Sequence, residues 1–523
     1  MKTNGRDNYA LSVDGTIGVS AEGWDAGHQG RRSRAVRPWT CCQVTLMVLA
    51  SGCVAMSVAM LAGGYQAMFD AVLKANMEVV EGSRAYDIWR VTPVPMFLRF
   101  YFFNITNPEE FAAGGKAALQ EVGPYCYREY HEKQNVSFHG NDTVTFLQQR
   151  WWVWDAETSG NNTQEDPIVN LNTIPISSAW GVRDSPGQLT SLNLFFKKKE
   201  EPLILTATAG QLIFDGYTDP LLDWMQNATL PPEVDLPPGL TDYDKFAWFY
   251  KRNLSLTYDG EFNMYTGHDT LDNLGRIDTW NRVRETDFYE SPCNRVGGSA
   301  GEMWPPNRGR DLIDFYSPDL CMTMPIYYEE EVEDKNGLPA YRYIGNNHTF
   351  ANGSVVPGNE CYCVDGTCAP TGLLNAESCR YGSPAFISFP HFLHADPFLL
   401  DSVDGLSPNA SIHQFNMDLI PELGIPINVE ARMQINMHVI PYPGGLGGIG
   451  KIDMLSEVKE VYLPLFWFET VAEVSPKDAE DLKTLLYLMN SPLFTIIFSV
   501  MFGLGTLTLI LVLLYHYFQI PCC

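Results

Sequence analysis

The chain has 523 residues, with 45% hydrophobic and 12% aromatic side chains, a globular rather than a disordered composition. Its formal net charge is −27, and a field of that sign excludes nucleic acid as a partner. The charge is uneven: the first 40 residues hold six basic and four acidic side chains, and two long apolar runs hold none, so the acidic excess lies between those runs.

Residues 1–40 are rich in Gly, Ser, Asp and Arg, show little periodicity, and read as a disordered cytosolic tail. The run from Cys41 to Tyr65 contains no Asp, Glu, Lys or Arg. As a helix it spans roughly 37 Å, enough to cross a bilayer. Its apolar core begins after 40 residues, too late for a cleaved signal peptide. Arg31, Arg32, Arg34 and Arg37 precede it and hold the N-terminus in the cytosol. A second uncharged run, 493–517, returns the chain to the cytosol for a short tail, 518–523. Residues 66–492 are therefore expected outside the cell or in a lumen. Nine N-x-S/T sequons agree with that side, at Asn104, Asn135, Asn141, Asn161, Asn227, Asn253, Asn347, Asn352 and Asn409. In the first run Ser51, Ala55, Ala59 and Gly63 recur every fourth residue, and Ser499 and Gly503 share that spacing in the second. Such a stripe lets helices approach closely, pairing either the two spans or two protomers of a homo-oligomer.

Within the ectodomain, Thr143–Leu147, Trp151–Trp154, Tyr341–Ile344, Ala385–Phe389 and Val461–Phe468 read as strands. The clearest signal is 428–439, where Val429, Ala431, Met433, Ile435, Met437 and Val439 alternate with polar residues, as in a half-buried strand. Ser177–Trp224 reads as short helices, with Lys197, Lys198 and Lys199 in its middle. Ser475, before Pro476, reads as a helix N-cap. The expected ectodomain is an α+β fold with an antiparallel, barrel-like core.

The twelve cysteines sort by compartment. Cys293, Cys321, Cys361, Cys363, Cys368 and Cys379 cluster in the ectodomain and read as three disulfides, with about 15 pairings open. A zinc site at Cys361, Cys363 and Cys368 is disfavoured in a secretory compartment. Cys126 reads as a buried free thiol. Cys41, Cys42, Cys522 and Cys523 lie at cytosolic membrane edges, where S-palmitoylation and plain thiols are both open.

Apparent catalytic motifs lack their context. Gly297-Gly298-Ser299-Ala300-Gly301 fits a nucleophile elbow, but no buried strand precedes it and Met303-Trp304-Pro305-Pro306 follows. Gly445–Lys451 fits a dinucleotide turn without the βαβ unit it needs, and Ile452 replaces the Ser or Thr of a P-loop. It reads as a hairpin turn. His391 and His394 read as structural imidazoles. No catalytic residue, metal or cofactor is expected.

Several blocks resemble the class B scavenger receptors. Gly123-Pro124-Tyr125-Cys126-Tyr127-Arg128 is similar to that family's GPYxYR. Tyr265–Thr270, Ile277-Asp278-Thr279-Trp280, Met303–Pro306, Phe315–Pro318 and Pro390–Pro397 resemble further blocks, and the likeness runs from Met47 to Leu514. The resemblance implies a barrel core with a helical apex and a lipid tunnel toward the bilayer. It also implies the pairs Cys293–Cys361, Cys321–Cys379 and Cys363–Cys368. Among relatives of this kind an apex lysine binds anionic lipid or lipoprotein, and the matching position falls near Lys199, with Lys197 and Lys198 beside it. The implied partners are fatty acids, sterol esters, phospholipids and lipoprotein particles at the plasma membrane. The alternative is a lysosomal receptor for a protein partner; the tail from His516 to Cys523 lacks the acidic di-leucine signal of that branch.

Overall fold

Thr40 opens the first long helix, Cys41–Ala59, with a capping box: its hydroxyl accepts the Gln43 N–H while Gln43 accepts the Thr40 N–H. The computed structural model describes residues 38–227, 243–364 and 366–518. The expectations for residues 1–37, and for Cys522 and Cys523, lie outside them. One compact unit holds this helix together with the helix Leu493–Phe518. A single-turn bulge, Met60–Gly64, ends the first helix before a continuation, Tyr65–Met77. Gly63 sits there at φ 115°, open to glycine without strain. The helix Leu493–Phe518 packs antiparallel to the first, with Trp39 stacked on His516 at one end (3.8 Å) and Tyr65 on Phe494 at the other (4.7 Å).

The seam between these helices corrects the small-residue expectation. It is built from Ala50, Val54, Ser57 and Gly505: a Cβ on Gly505 would stand 2.8 Å from Val54 Cγ2, and Ser57 is fully buried with its hydroxyl donating to Cys53 O. Ser51, Ala55, Ala59, Gly63, Ser499 and Gly503 are all exposed. The close approach is fixed by Gly505, which draws in the neighbouring face of the first helix, so that stripe does not join the two spans.

The second unit spans Gln66–Ser491. Its strands in chain order are β1 (Met96–Ile105), β2 (Leu119–Phe138), β3 (Thr143–Trp154), β4 (Pro167–Leu171), β5 (Ile204–Thr208), β6 (Glu261–Tyr265), β7 (Ile277–Trp280), β8 (Leu312–Ser317), β9 (Met322–Glu333), β10 (Pro339–Ile344), β11 (Leu374–Asn375), β12 (Ala385–Ser388), β13 (Asn416–Ile420), β14 (Ile425–Val439) and β15 (Val461–Glu473). Thirteen form one antiparallel sheet in the order β7-β6-β3-β2-β1-β15-β14-β13-β10-β9-β8, with β12 on β14 and β11 on β12.

The glycine loop at Ser299 bridges the two ends of this sheet. Ile277 N–H of β7 donates to Gly298 O (2.9 Å), while Ser299 N–H donates to Asp314 O of β8 (3.0 Å) and Tyr316 N–H to Ser299 O (2.9 Å). Gly298, at φ 70°, lies so close to Asp314 that a Cβ would meet its backbone at 2.8 Å. One residue thus serves as a strand, and the sheet is a nearly closed barrel whose ends are paired.

Two readings of the elements change. Ser177–Trp224 does contain helices, Pro186–Lys199 and Pro220–Asn227 among them, but also β5, which pairs with β4. β14 is not half-buried near its C-terminal end: Gln434 and Asn436 are fully buried beneath the segment from β12 onward. They are tolerated because they are bonded. Gln434 Oε1 accepts the His391 N–H (2.6 Å), and Asn436 Nδ2 donates to Ser388 Oγ (3.0 Å).

Candidate functional site

On β1 and β15 the register sets Phe100 opposite Phe468 and Phe102 opposite Phe466 on one face, and Tyr101 opposite Trp467 and Arg99 opposite Glu469 on the other. The phenylalanine face continues into a nest of rings. Phe249 lies 5.1 Å from Phe100 and 5.8 Å from Trp152, and Phe214 lies 4.8 Å from Tyr127, 5.5 Å from Trp152 and 5.6 Å from Phe249. Phe466 meets Trp248 at 5.0 Å. Phe214 and Trp248 remain only half-buried amid these contacts. The nest belongs to one apolar cluster that also takes in Leu189 and Phe196 of the helix Pro186–Lys199.

Lys197, Lys198 and Lys199 form the last turn of that helix, where cations are favoured by the helix dipole. All three are exposed. Lys197 pairs with Asp453, which also takes Lys451 (3.1 Å), and these contacts pull the Asp453 carboxyl down to about 2. Lys199 stands over the Phe195 ring. Glu201 turns toward Asn172, and burial together with Asp219 raises its carboxyl to about 7.

The other face of β15 carries a cluster that chain order conceals. Glu121 Oε2 accepts from Trp467 Nε1 (2.7 Å) and from His391 Nε2 (2.6 Å), and the His391 and His413 rings stack at 4.1 Å. A carboxylate and two imidazoles within 4.8 Å of one another have the composition of a metal site. The hydrogen bonds argue against one. Ser407 N–H donates to His391 Nδ1 and Asn409 N–H to His413 Nδ1, each at 3.0 Å, so either ring, when neutral, keeps its proton on Nε2, which in His391 is the nitrogen bonded to Glu121. Burial pushes Glu121 up, but the bonds from His391 and Trp467 outweigh it and hold the carboxyl below its ordinary value. Burial and then His391 push His413 down to about 4, with Arg432 adding to the effect and Glu121 opposing it.

The sign of the pH dependence follows. An unfolded histidine takes up its proton near pH 6.5, whereas folded His413 refuses it until about 4, so stability falls as pH falls through that window. The loss is on the order of 3 kcal/mol. Thermal unfolding of the purified chain between pH 7 and 4.5 should show a falling Tm, with a shallower slope in His413→Asn, whose Oδ1 offers the same acceptor to Asn409. Equal slopes would exclude His413 as the titrating group.

A buried ionic network ties β2 and β3 to two loops. Arg150 Nε donates to Asp259 Oδ2 (2.6 Å) and Arg252 Nη2 to Asp319 Oδ2 (2.6 Å), while His131 bonds Glu129 Oε1 (2.8 Å). Burial raises the Asp319 carboxyl, but Arg252, Arg150 and Arg380 overcome that and hold it well below its ordinary range. Lys133, fully buried against Trp89, pairs with Glu302.

Ser299 is buried with its hydroxyl donating to Met303 O and accepting the Gly301 N–H (2.9 Å), so no base addresses it. His394 bonds Gln414 Oε1 (2.9 Å). Cystines join Cys293 to Cys361, Cys321 to Cys379 and Cys363 to Cys368. Cys126 is fully buried, and Cys41 and Cys42 are exposed. Seven sequon asparagines are exposed; Asn104 and Asn352 are half-buried. Asn104 Oδ1 accepts the Val169 N–H (2.6 Å) and Asn352 Nδ2 donates to Ala369 O (2.9 Å). Asn135 and Asn141 line an open polar cleft of about 620 Å³ with Thr143, Thr145, Asn263 and Asp278.

Two apolar helices long enough to span a bilayer and a disulfide-bonded, nearly closed antiparallel barrel define a two-pass membrane protein with one large ectodomain. The family model described as "CD36 family" matches residues 46–516, and the chain belongs to the CD36 family. Protein peste of Drosophila melanogaster is 32% identical over 446 residues, 84% of this chain and 77% of that protein. Scavenger receptor class B member 1 of Bos taurus is 33% identical, covering 85% and 83%, and Lysosome membrane protein 2 of Rattus norvegicus is 30% identical, covering 89% and 94%.

Proposed function

We propose that this chain is a non-enzymatic cell-surface scavenger receptor, with both termini cytosolic, that binds lipids and lipoprotein particles and passes lipid to the membrane through its ectodomain. Family membership supports the receptor role, and the similarity to Scavenger receptor class B member 1 supports the class. The observation that carries the lipid reading is the apolar cluster that joins the lysine-bearing helix to the ring nest on β1 and β15. Moving a 16-carbon tail into water costs on the order of 12 kcal/mol, and an apolar path lowers that barrier without chemistry. Half-buried rings such as Phe214 and Trp248 are the side chains that would swing aside for a tail. Lys198 and Lys199 are the cations of the patch that the Asp453 pairing leaves free to meet anionic ligands. The exposed sequons would carry glycans, and Cys41 and Cys42 lipid.

The test is uptake of labelled cholesteryl ester from lipoprotein particles by cells displaying the chain, alongside uptake of the particle protein. Lipid is expected in excess of protein, and Lys198→Glu with Lys199→Glu should lower particle binding severalfold at equal surface level. Equal uptake of lipid and protein would mean whole-particle endocytosis. The second reading, a lysosomal receptor for a protein partner, is favoured by the similarity to Lysosome membrane protein 2 over 94% of that protein. Uptake no greater than in untransfected cells, with the chain found in lysosomes, would establish it.

A further inference from the structure

The connection from β14 to β15 holds the most exposed large apolar side chain among the described residues. Leu446 is 98% exposed and Ile449 58%. The loop around them is built. Below the tip, Ile452 N–H donates to Tyr442 O (3.1 Å), and both side chains are buried in the main apolar cluster. At the tip, Gly445 N–H donates to Ile449 O (2.8 Å), and Gly444, Gly447, Gly448 and Gly450 all take φ of 75–79°, which fixes the turn and denies Leu446 a way back to the core. One flank is fastened to the helix Pro186–Lys199: Gly450 N–H donates to Thr190 Oγ1 and Asp453 N–H to Asn193 Oδ1, each at 2.9 Å. Leu194, 63% exposed, follows Thr190 by one turn beside this seam.

The charge around the tip runs against the rest of the chain. Asp453 is shared by Lys197 and Lys451, leaving one net positive charge; Lys198 and Lys199 add to it, and Glu200 and Glu201 subtract, so the balance stays slightly positive. A fixed apolar tip fastened to a helix whose last turn is Lys197–Lys199, in a protein of net charge −27, matches an interface between headgroups and acyl chains.

We propose that residues 444–450 form a wedge that inserts Leu446 and Ile449 into the phospholipid surface of a bound particle, while the neighbouring lysines hold headgroup phosphates. The wedge rests on the receptor reading above and names how the receptor would grip its lipid ligand. It would also loosen the particle surface where the lysine-bearing helix meets it, at the start of the apolar path.

The test uses the full chain in phosphatidylcholine nanodiscs and protein-free vesicles of phosphatidylcholine with or without phosphatidylserine, read by flotation. Wild type should capture vesicles, and Leu446→Ser with Ile449→Ser should lower capture at least about tenfold. Leu446→Trp should preserve or raise capture, because tryptophan prefers the headgroup zone. Lys198→Glu with Lys199→Glu should lower capture of both vesicle types, and more for those that contain phosphatidylserine. Because both apolar side chains are exposed, these variants leave the fold intact, which the unfolding curve checks. Equal capture by wild type and the serine variant overturns the wedge and leaves the receptor reading standing. If wild type captures no vesicle but still binds lipoprotein particles, a protein contact replaces the wedge. Binding of neither overturns both readings.

Discussion

Replacing Phe214 with glutamate is expected to slow lipid transfer about a hundredfold while particle binding at equal surface level is unchanged. Phe214 touches Tyr127, Trp152 and Phe249 and is only half-buried. A carboxylate there brings water into the nest. On the proposed lipid path a tail would then expose three or four methylenes at a time, at about 0.8 kcal/mol each, which raises the barrier by about 3 kcal/mol. Phe214→Leu keeps the surface apolar and should keep transfer. The measurement is cholesteryl ester uptake relative to particle bound. If the glutamate variant transfers normally, tails do not pass Phe214, and the ring nest is packing alone.

Asp259→Ala is expected to destabilise the ectodomain by about 3–5 kcal/mol and to keep much of the chain from the cell surface. Asp259 and Arg252 are nearly buried, with side chains 7% and 5% exposed. Without Asp259, Arg150 loses its two-pronged partner and keeps only Asp319 and the more distant Glu129 (3.8 Å), while Arg252 keeps Asp319 alone. The exposed pair Arg282–Glu261 supplies the contrast, because a solvated ion pair of that kind adds little to stability. Thermal unfolding of the purified variants and surface labelling both read the difference. Equal Tm values for Asp259→Ala and Arg282→Ala would show that the network carries no more weight than a surface pair.

Signals local in the chain were legible. The uncharged runs located the long helices, alternation over 428–439 located β14, and Ser475 does cap its helix, accepting the Asp478 N–H. Resemblance, rather than spacing, supplied the cysteine partners. What stayed hidden depends on long-range contact. β3 runs unbroken through Gln148, Gln149 and Arg150, because Arg150 is held by Asp259 on a loop about a hundred residues later, and a polar run reads as a break. His413 joins Glu121 and His391 although nothing near it in sequence marks it. Lys197 reads as a free cation until Asp453 arrives from the β14–β15 connection. The buried polar edge of β14 looked like a solvent face because Asn436 finds its partner on β12 and Gln434 on the segment just after it.

The ladder between β1 and β15 has a consequence for biosynthesis. β1 is the first strand of the ectodomain to be made, and its partner begins only at Val461, roughly 360 residues later. At about 5–20 residues per second, β1 waits some 20–70 s with one edge unpaired. Throughout that interval the nascent chain holds Phe97, Phe100, Tyr101 and Phe102 on an open strand edge, an adhesive segment that calls for shielding. Premature termination anywhere before Val461 would leave that edge open for good. Such truncations should therefore be retained and degraded rather than appear as shortened receptors.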